Sequence, residues 1–298
     1  MDPVLEKFIS ENRDLVDEAL DKFVPSAELE PQALHEAMRY SLFAGGKRIR
    51  PILAMTAAEI IGADKSDIMP LAVALECVHT YSLIHDDLPA MDNDDFRRGK
   101  PTCHKVFGES TAILAGDALV TLAFEILGSA ELSRIFPCDR VLAVIRDVAE
   151  SCGSRGLIAG QELDMFFEGK AADDATIEKI MLNKTAALIR AAVTSGARLA
   201  GAAGAQIDIF YKFGEKLGMI FQIRDDLLDL EGDPKKLGKA VKKDGKRGKA
   251  TYPSLHGADH SRRLILNLLV EAKELIEPFG ETAHSLVLLT EFVARRVS

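Results

Sequence analysis

None of the four cysteines, Cys77, Cys103, Cys138 and Cys152, falls in a C-x-x-C pair or at metal-ligand spacing. A disulfide framework is therefore not expected, and a reducing, cytoplasmic setting is the simplest one. No uncharged apolar run approaches the ~20 residues of a membrane-spanning helix, so no stable membrane insertion is expected. The stretch MDPVLEKFISENRDLVDEAL is charged throughout and has no hydrophobic signal core, so it reads as part of the fold rather than as a targeting segment. Basic residues are outnumbered, 37 against 46, for a net charge of −9. That balance excludes nucleic acid as the main partner and suits a protein that holds divalent cations. Low-complexity tracts, linkers, internal repeats and alternating strand patterns are all missing.

What remains is helical. Apolar residues recur at three-to-four spacing in LVDEALDKFV, ILAMTAAEIIG, TAILAGDALVTLAFEIL and TIEKIMLNKTAALIRAAVTSGARLAGAAG, which predicts an all-α chain. Helix boundaries are expected at Pro31, Gly45-Gly46, Gly62, Pro70, Gly128, Pro137, Gly169, Gly232 to Pro234, Pro253 and Pro278, giving about ten or more helices in a single unit spanning 1–298. Gly232 to Pro253 has glycines and lysines without amphipathic period, so it is expected to be a long functional loop or lid.

Two acidic clusters interrupt this apolar background. In FQIRDDLLD, Asp225 and Asp229 are four apart and share a helical face, with Asp226 beside them. Flanked by Phe221, Ile223, Leu227 and Leu228, they belong to a helix that must be largely buried, where a carboxylate needs a partner. In YSLIHDDLPAMDNDDFRRGKPT, Asp86 and Asp92 are six apart, about 240° on a regular helix. A bulge at Pro89-Ala90 is expected to restore an effective spacing of four and turn Asp86, Asp87 and Asp92 toward one cleft. Oxygen ligands with no His or Cys among them fit Mg²⁺ bridging to phosphate.

Cations accompany the clusters: Arg97 and Arg98 follow the first, and Lys47, Arg50, Lys184, Lys239 and Lys249 lie elsewhere. Arginine forks supply bidentate donors to phosphate. Arg48, Lys242, Lys243, Lys246 and Arg247 read as ordinary surface charge. His79, seven residues before Asp86, shares its stripe two turns down.

The motifs FAGGKRIRP (43–51), HTYSLIHDDLPAMDNDDFRRGKPT (79–102), GQELD (160–164), NKTAALIRAA (183–192), FQIRDDLLD (221–229) and LGKAVKKDGKRGKATYP (237–253) occur in the order found in one family. The chain resembles the trans-type isoprenyl diphosphate synthases, and among them the bacterial farnesyl-forming members. The resemblance implies a helical bundle around a deep central cavity, a homodimer, and three Mg²⁺ per site held by Asp86, Asp92 and Asp225 with Asp87, Asp226 and Asp229 in support. It also implies that Arg97, Lys184 and Lys239 donate to the allylic diphosphate, with Lys249 nearby. Lys47, Arg50, His79 and Arg98 would hold isopentenyl diphosphate, and Thr185 and Gln222 would stand beside the reacting carbons, with Gln161 and Asp164 close.

Chain length is expected to depend on Tyr81 and Ser82, about one turn below Asp86. A Tyr ring there is expected to form the floor of the cavity and favour the fifteen-carbon product over the twenty-carbon one. Rival readings are a terpene cyclase, disfavoured by the second DDxxD and the cations for a second diphosphate, and an acidic Ca²⁺-binding helical protein.

Overall fold

The computed structural model describes residues 3–231 and 248–296, so Lys239 and most of the lysine-rich loop lie outside the described residues. The chain forms α1 (Pro3–Phe23), α2 (Gln32–Leu42), α3 (Ile49–Ile61) and α4 (Lys65–Asp86), then a short antiparallel pair, β1 (Phe96–Arg97) and β2 (Lys100–Pro101). It continues through α5 (Cys103–Phe107), α6 (Glu109–Leu127), α7 (Ala130–Ile135), α8 (Cys138–Cys152), α9 (Leu157–Phe166) and α10 (Asp174–Met181). A π turn, Leu182–Ala186, leads into α11 (Ala187–Ala200), followed by α12 (Gly204–Glu231), α13 (Tyr252–His256), α14 (Ala258–Ile276), the 3₁₀ segment Glu277–Ala283 and α15 (His284–Arg295). The all-α expectation holds apart from that two-residue hairpin, whose Arg98 and Gly99 both have positive φ. Positive φ at both central positions matches the twist of paired strands.

The apolar period decides what each helix buries. On α8, Val141, Val144, Val148 and Cys152 form the buried stripe, one face of a 3.6-residue helix. α3 is buried almost all round because it lies in the middle, between α4 and α11. α11 approaches α3 so closely that a Cβ on Gly196 would lie 2.0 Å from the Ala54 carbonyl oxygen. Around this centre α4 packs on α6, and α12 on α11 and α14.

Turn chemistry places the ends largely as expected. Gly62 closes α3 in the left-handed region and returns its N–H to Ala58 and Glu59, as a C-terminal glycine does. Pro70 departs from expectation: it lies inside α4, whose cap is Asp64, accepting from the Ser66 N–H at 2.8 Å. So near the N-terminus a proline costs one i→i−4 hydrogen bond rather than the helix.

Two segments, Lys65–Asp86 and Glu109–Ile135, are long and apolar enough by length and composition to cross a membrane even though each carries charged residues. For the first the explanation is internal, since 78% of its apolar window is buried in the bundle, against 44% for the second. The four cysteines are free.

Candidate active site

α4 and α12 together line a cavity of about 320 Å³. From α4 come His79, Ser82, Leu83 and Asp86, the i, i+3, i+4, i+7 stripe of one helical face. From α12 come Phe221, Gln222, Asp225, Asp226 and Asp229, the corresponding stripe on the other wall. The second acidic cluster is thus a continuous helical surface, as its spacing predicted.

The first cluster reaches the same cavity by a different route. α4 does not continue through a bulge at Pro89. It ends at Asp86, and the chain folds back so that the Asp92 N–H donates to the Asp86 carbonyl at 2.8 Å, with Asn93 in the left-handed region, which a short polar side chain tolerates. This closed loop, rather than helical periodicity, brings Asp86 and Asp92 to one wall, and Asp94 with them. Asp94 was missed by sequence reasoning although it stands two residues after Asp92 in the same run.

Burial holds the Asp86 carboxyl above the usual carboxylate range, with Asp92 adding repulsion against the opposing pull of Lys184. Asp87 turns away from the main cavity. It is buried beneath Arg97, whose Nε lies 2.9 and 2.8 Å from its two oxygens and whose Nη2 lies 2.6 Å from Oδ1. The β1–β2 hairpin aims Arg97 there, so Asp87 serves as the buried counter-ion that orients an arginine at the cavity wall.

Lys184 and Thr185 lie on the π turn, a distortion common at functional sites. Lys184 Nζ is 2.6 Å from Asp164 Oδ2, and Lys249 lies 3.4 Å from both Asp164 and Asp92, which ties the GQELD motif to the first cluster. Thr185 donates to the Gln222 side-chain oxygen, and Gln222 Nε2 donates to Asp226 at 2.7 Å. Gly160 and Gly218 make this possible. A Cβ on Gly160 would sit 2.1 Å from the Lys184 nitrogen, and one on Gly218 would sit 2.3 Å from Ala186 Cα.

The other end of the cavity is cationic. Arg50 lies within it, buried at 9% exposure, and its Nε has no hydrogen-bond partner among the described residues. Burial lowers its pKa to about 10, with Glu76 and Asp225 opposing. His79 is held well below the ordinary imidazole range by burial and then by Arg50, Arg98 and Arg97. Arg98 lines the same space. Lys47 stands at the edge rather than on the lining, its Nζ 5.1 Å from the Phe292 ring centre. Arg296, which no sequence signal indicated, reaches across 71 positions to Asp225 at 2.8 Å and stacks on Phe221 at 3.8 Å.

One more expectation needs correction. Arg48 is not a surface charge: it is 3% exposed. Tyr81 is buried but does not line the cavity, whereas Ser82 does. At about 100° per residue, Tyr81 lies roughly 140° round α4 from Asp86 and Ser82 only about 40°. The Tyr81 ring packs edge-on to His85 instead, 5.7 Å between centres.

Among the described residues no three acidic or imidazole side chains converge to hold an ion by themselves. Carboxylates instead face one another across the cavity, with cations between and beside them. That donor set fits Mg²⁺, which takes one or two carboxylates and completes its shell with substrate phosphate and water.

The family model for polyprenyl synthetase matches residues 31–279. The chain is 45% identical over 293 residues to the heterodimeric geranylgeranyl pyrophosphate synthase large subunit 1 of Arabidopsis thaliana, covering 97% of this chain and 78% of that one. It is 42% identical over 292 residues to the farnesyl diphosphate synthase of Geobacillus stearothermophilus, covering 98% of each. A solved geranyltransferase from Helicobacter pylori, complexed with magnesium and isoprenyl diphosphate, superposes with a TM-score of 0.87 at 28% identity over 99% of both chains. With both acidic motifs on one cavity and relatives matching along nearly its whole length, the chain belongs to the polyprenyl synthetase family of trans-prenyltransferases.

Proposed function

We propose that the protein joins isopentenyl diphosphate head-to-tail to dimethylallyl or geranyl diphosphate, dependent on Mg²⁺, and makes mainly farnesyl diphosphate. One observation carries this reading: two opposed carboxylate clusters share a cavity with a separate cationic pocket whose innermost arginine, Arg50, has an unpartnered buried Nε. A buried guanidinium of that kind awaits an anion. Carboxylates at one end and cations at the other accommodate two diphosphates, one through metal and one directly.

The roles follow from position. Asp86, Asp92 and Asp225 would hold Mg²⁺, three ions by family resemblance, with Asp226 and Asp229 behind them; when bound, the metal neutralises charge on the allylic diphosphate as its C–O bond lengthens. Lys184 and Arg97, with Lys239 and Lys249, donate to the same diphosphate, most strongly as its charge develops. The oxygens of Thr185 and Gln222 face the allylic carbon and stabilise its positive charge. Arg50, Arg98, His79 and Lys47 hold isopentenyl diphosphate so that its double bond meets that carbon. The departing diphosphate accepts the proton that is then lost.

The fifteen-carbon product rests on Tyr81, which is buried on α4 behind the cavity lining and beside His85 and would stand in the path of a tail that extends past Ser82. The twenty-carbon product is the alternative, since the relatives carry both names. Substituting Tyr81→Ala should therefore shift the product toward twenty carbons, read by chain-length analysis after phosphatase treatment. An active variant with unchanged product length would refute the role of Tyr81.

The assembly we propose is a homodimer through α6, an apolar helix packed on α4 with part of its outer face exposed. Ile113 and Leu114 are exposed on it, and such a face is typical of subunit contacts. Light scattering should give twice 32.5 kDa, about 65 kDa; a monomer mass would rule this out, or point to a different partner, as for the heterodimeric relative. The function itself is tested with purified protein, Mg²⁺, labelled isopentenyl diphosphate and dimethylallyl diphosphate. A farnesol peak that vanishes with EDTA is expected, and absence of product with every allylic starter would overturn the assignment.

A further inference from the structure

Arg48 lies two residues before Arg50 and one after Lys47, yet its side chain is 1% exposed and does not line the cavity. Its fork reaches four elements. Nε donates to Asp17 on α1 at 2.8 Å, and Nη1 donates to Glu76 on α4 at 2.7 Å and to the Gly45 carbonyl at 3.3 Å. Nη2 donates to the Leu42 carbonyl at the end of α2 at 2.7 Å. The Arg48 backbone is left-handed, φ 51 and ψ 37, an unfavourable state for a residue with a side chain that persists only where the surroundings over-determine it.

The loop so held carries or touches most of the cationic pocket. Lys47 belongs to it, and Arg50 follows on the first turn of α3. Arg98 donates to the same Gly45 carbonyl and lies flat on Gly46, where a Cβ would stand 2.6 Å from its Cζ. Glu76, itself 1% exposed, lies three residues before His79 on α4, about one turn away on the same face. One buried ion pair therefore ties the loop that bears Lys47, leads into Arg50 and supports Arg98 to the helix bearing His79.

We infer that the Arg48–Glu76 pair is the positioning device of the isopentenyl diphosphate subsite, setting the distance between its loop-borne cations and His79. This rests on the proposed function. Lysine cannot replace the fork, because a single ammonium cannot meet acceptors spread over four elements.

The test compares wild type, Arg48→Lys and Asp17→Asn, the last leaving the Arg48–Glu76 pair whole and loosening only its outer arm. KM for each substrate and kcat are measured with the other substrate saturating, and circular dichroism melting is run alongside. Arg48→Lys should raise KM for isopentenyl diphosphate roughly tenfold while KM for the allylic substrate and kcat stay within about twofold. Asp17→Asn should move the same constant in the same direction by less. A folded Arg48→Lys with both KM values raised equally, or neither raised, overturns the inference. Should Arg48→Lys not fold, Asp17→Asn decides, an unchanged KM for isopentenyl diphosphate counting against it. An active wild type with unsplit constants sinks this role alone; a wild type that forms no prenyl product sinks the proposed function and this role with it.

Discussion

His79 illustrates how far a single residue can be read in advance. Seven positions before Asp86, it was expected on the aspartates' stripe, and it does line the cavity. Its company of arginines comes from loops far away in sequence. Burial and those arginines hold its pKa well below the ordinary value near 6.5. The sign of the consequence is definite: below about pH 6.5 the unfolded chain binds a proton that the folded one refuses, so stability falls as pH falls. The loss is to be read between pH 6.5 and 5.5. Urea unfolding of wild type and His79→Asn at both pH values should show the variant lacking that loss; parallel losses would contradict it. Tyr81 was placed by its distance along the helix, while its angle around the helix sets it behind the cavity lining. Arg48 was judged by residue type, although a buried charge depends wholly on the partners the fold supplies.

At the scale of elements, α12 was legible because its carboxylates lie on an unbroken helix, where spacing alone settles the face. The Asp86–Asp92 turn was only half legible. Proline announced an interruption, but whether the helix would bulge or stop depends on long-range support, here Thr102 donating to the Asp94 carbonyl at 2.7 Å. The π turn carrying Lys184 and Thr185 was not foreseen, since an inserted residue leaves no trace in apolar periodicity. Its support is testable. Gly160→Ala would press a methyl group against the Lys184 backbone, so it should destabilise the fold by about 1–3 kcal/mol and depress kcat by moving Lys184 and Thr185. Gly204→Ala, at an open helical position with no neighbour within 4 Å, is the control and should be neutral or stabilising by up to about 1 kcal/mol. Equal behaviour of the two in thermal melts would remove the argument for a clamped turn.

For the whole molecule, the opposed clusters predict a joint ligand dependence. Mg²⁺ alone has no complete ligand set among the described residues, and a diphosphate alone meets repelling carboxylates at one end of the cavity and has only the cationic end to bind. Mg²⁺ with inorganic pyrophosphate should raise the melting temperature by about 5 °C, and either alone by much less. A full shift with Ca²⁺ or Mg²⁺ alone would favour an acidic cation-binding protein instead. By itself, the sequence determined the all-α class, the shared face of Asp225 and Asp229 and the chemistry of the ligand set, because helical periodicity and side-chain type are local properties. Only the tertiary structure decided that α4 and α12 face each other across one cavity, that Asp87 is committed to Arg97, that Arg296 reaches Asp225, and that Arg48 is an internal strut. Asp87 and Arg97 are ten residues apart and the other partners lie much further from one another, so each case depends on contacts that packing creates and helical periodicity does not encode.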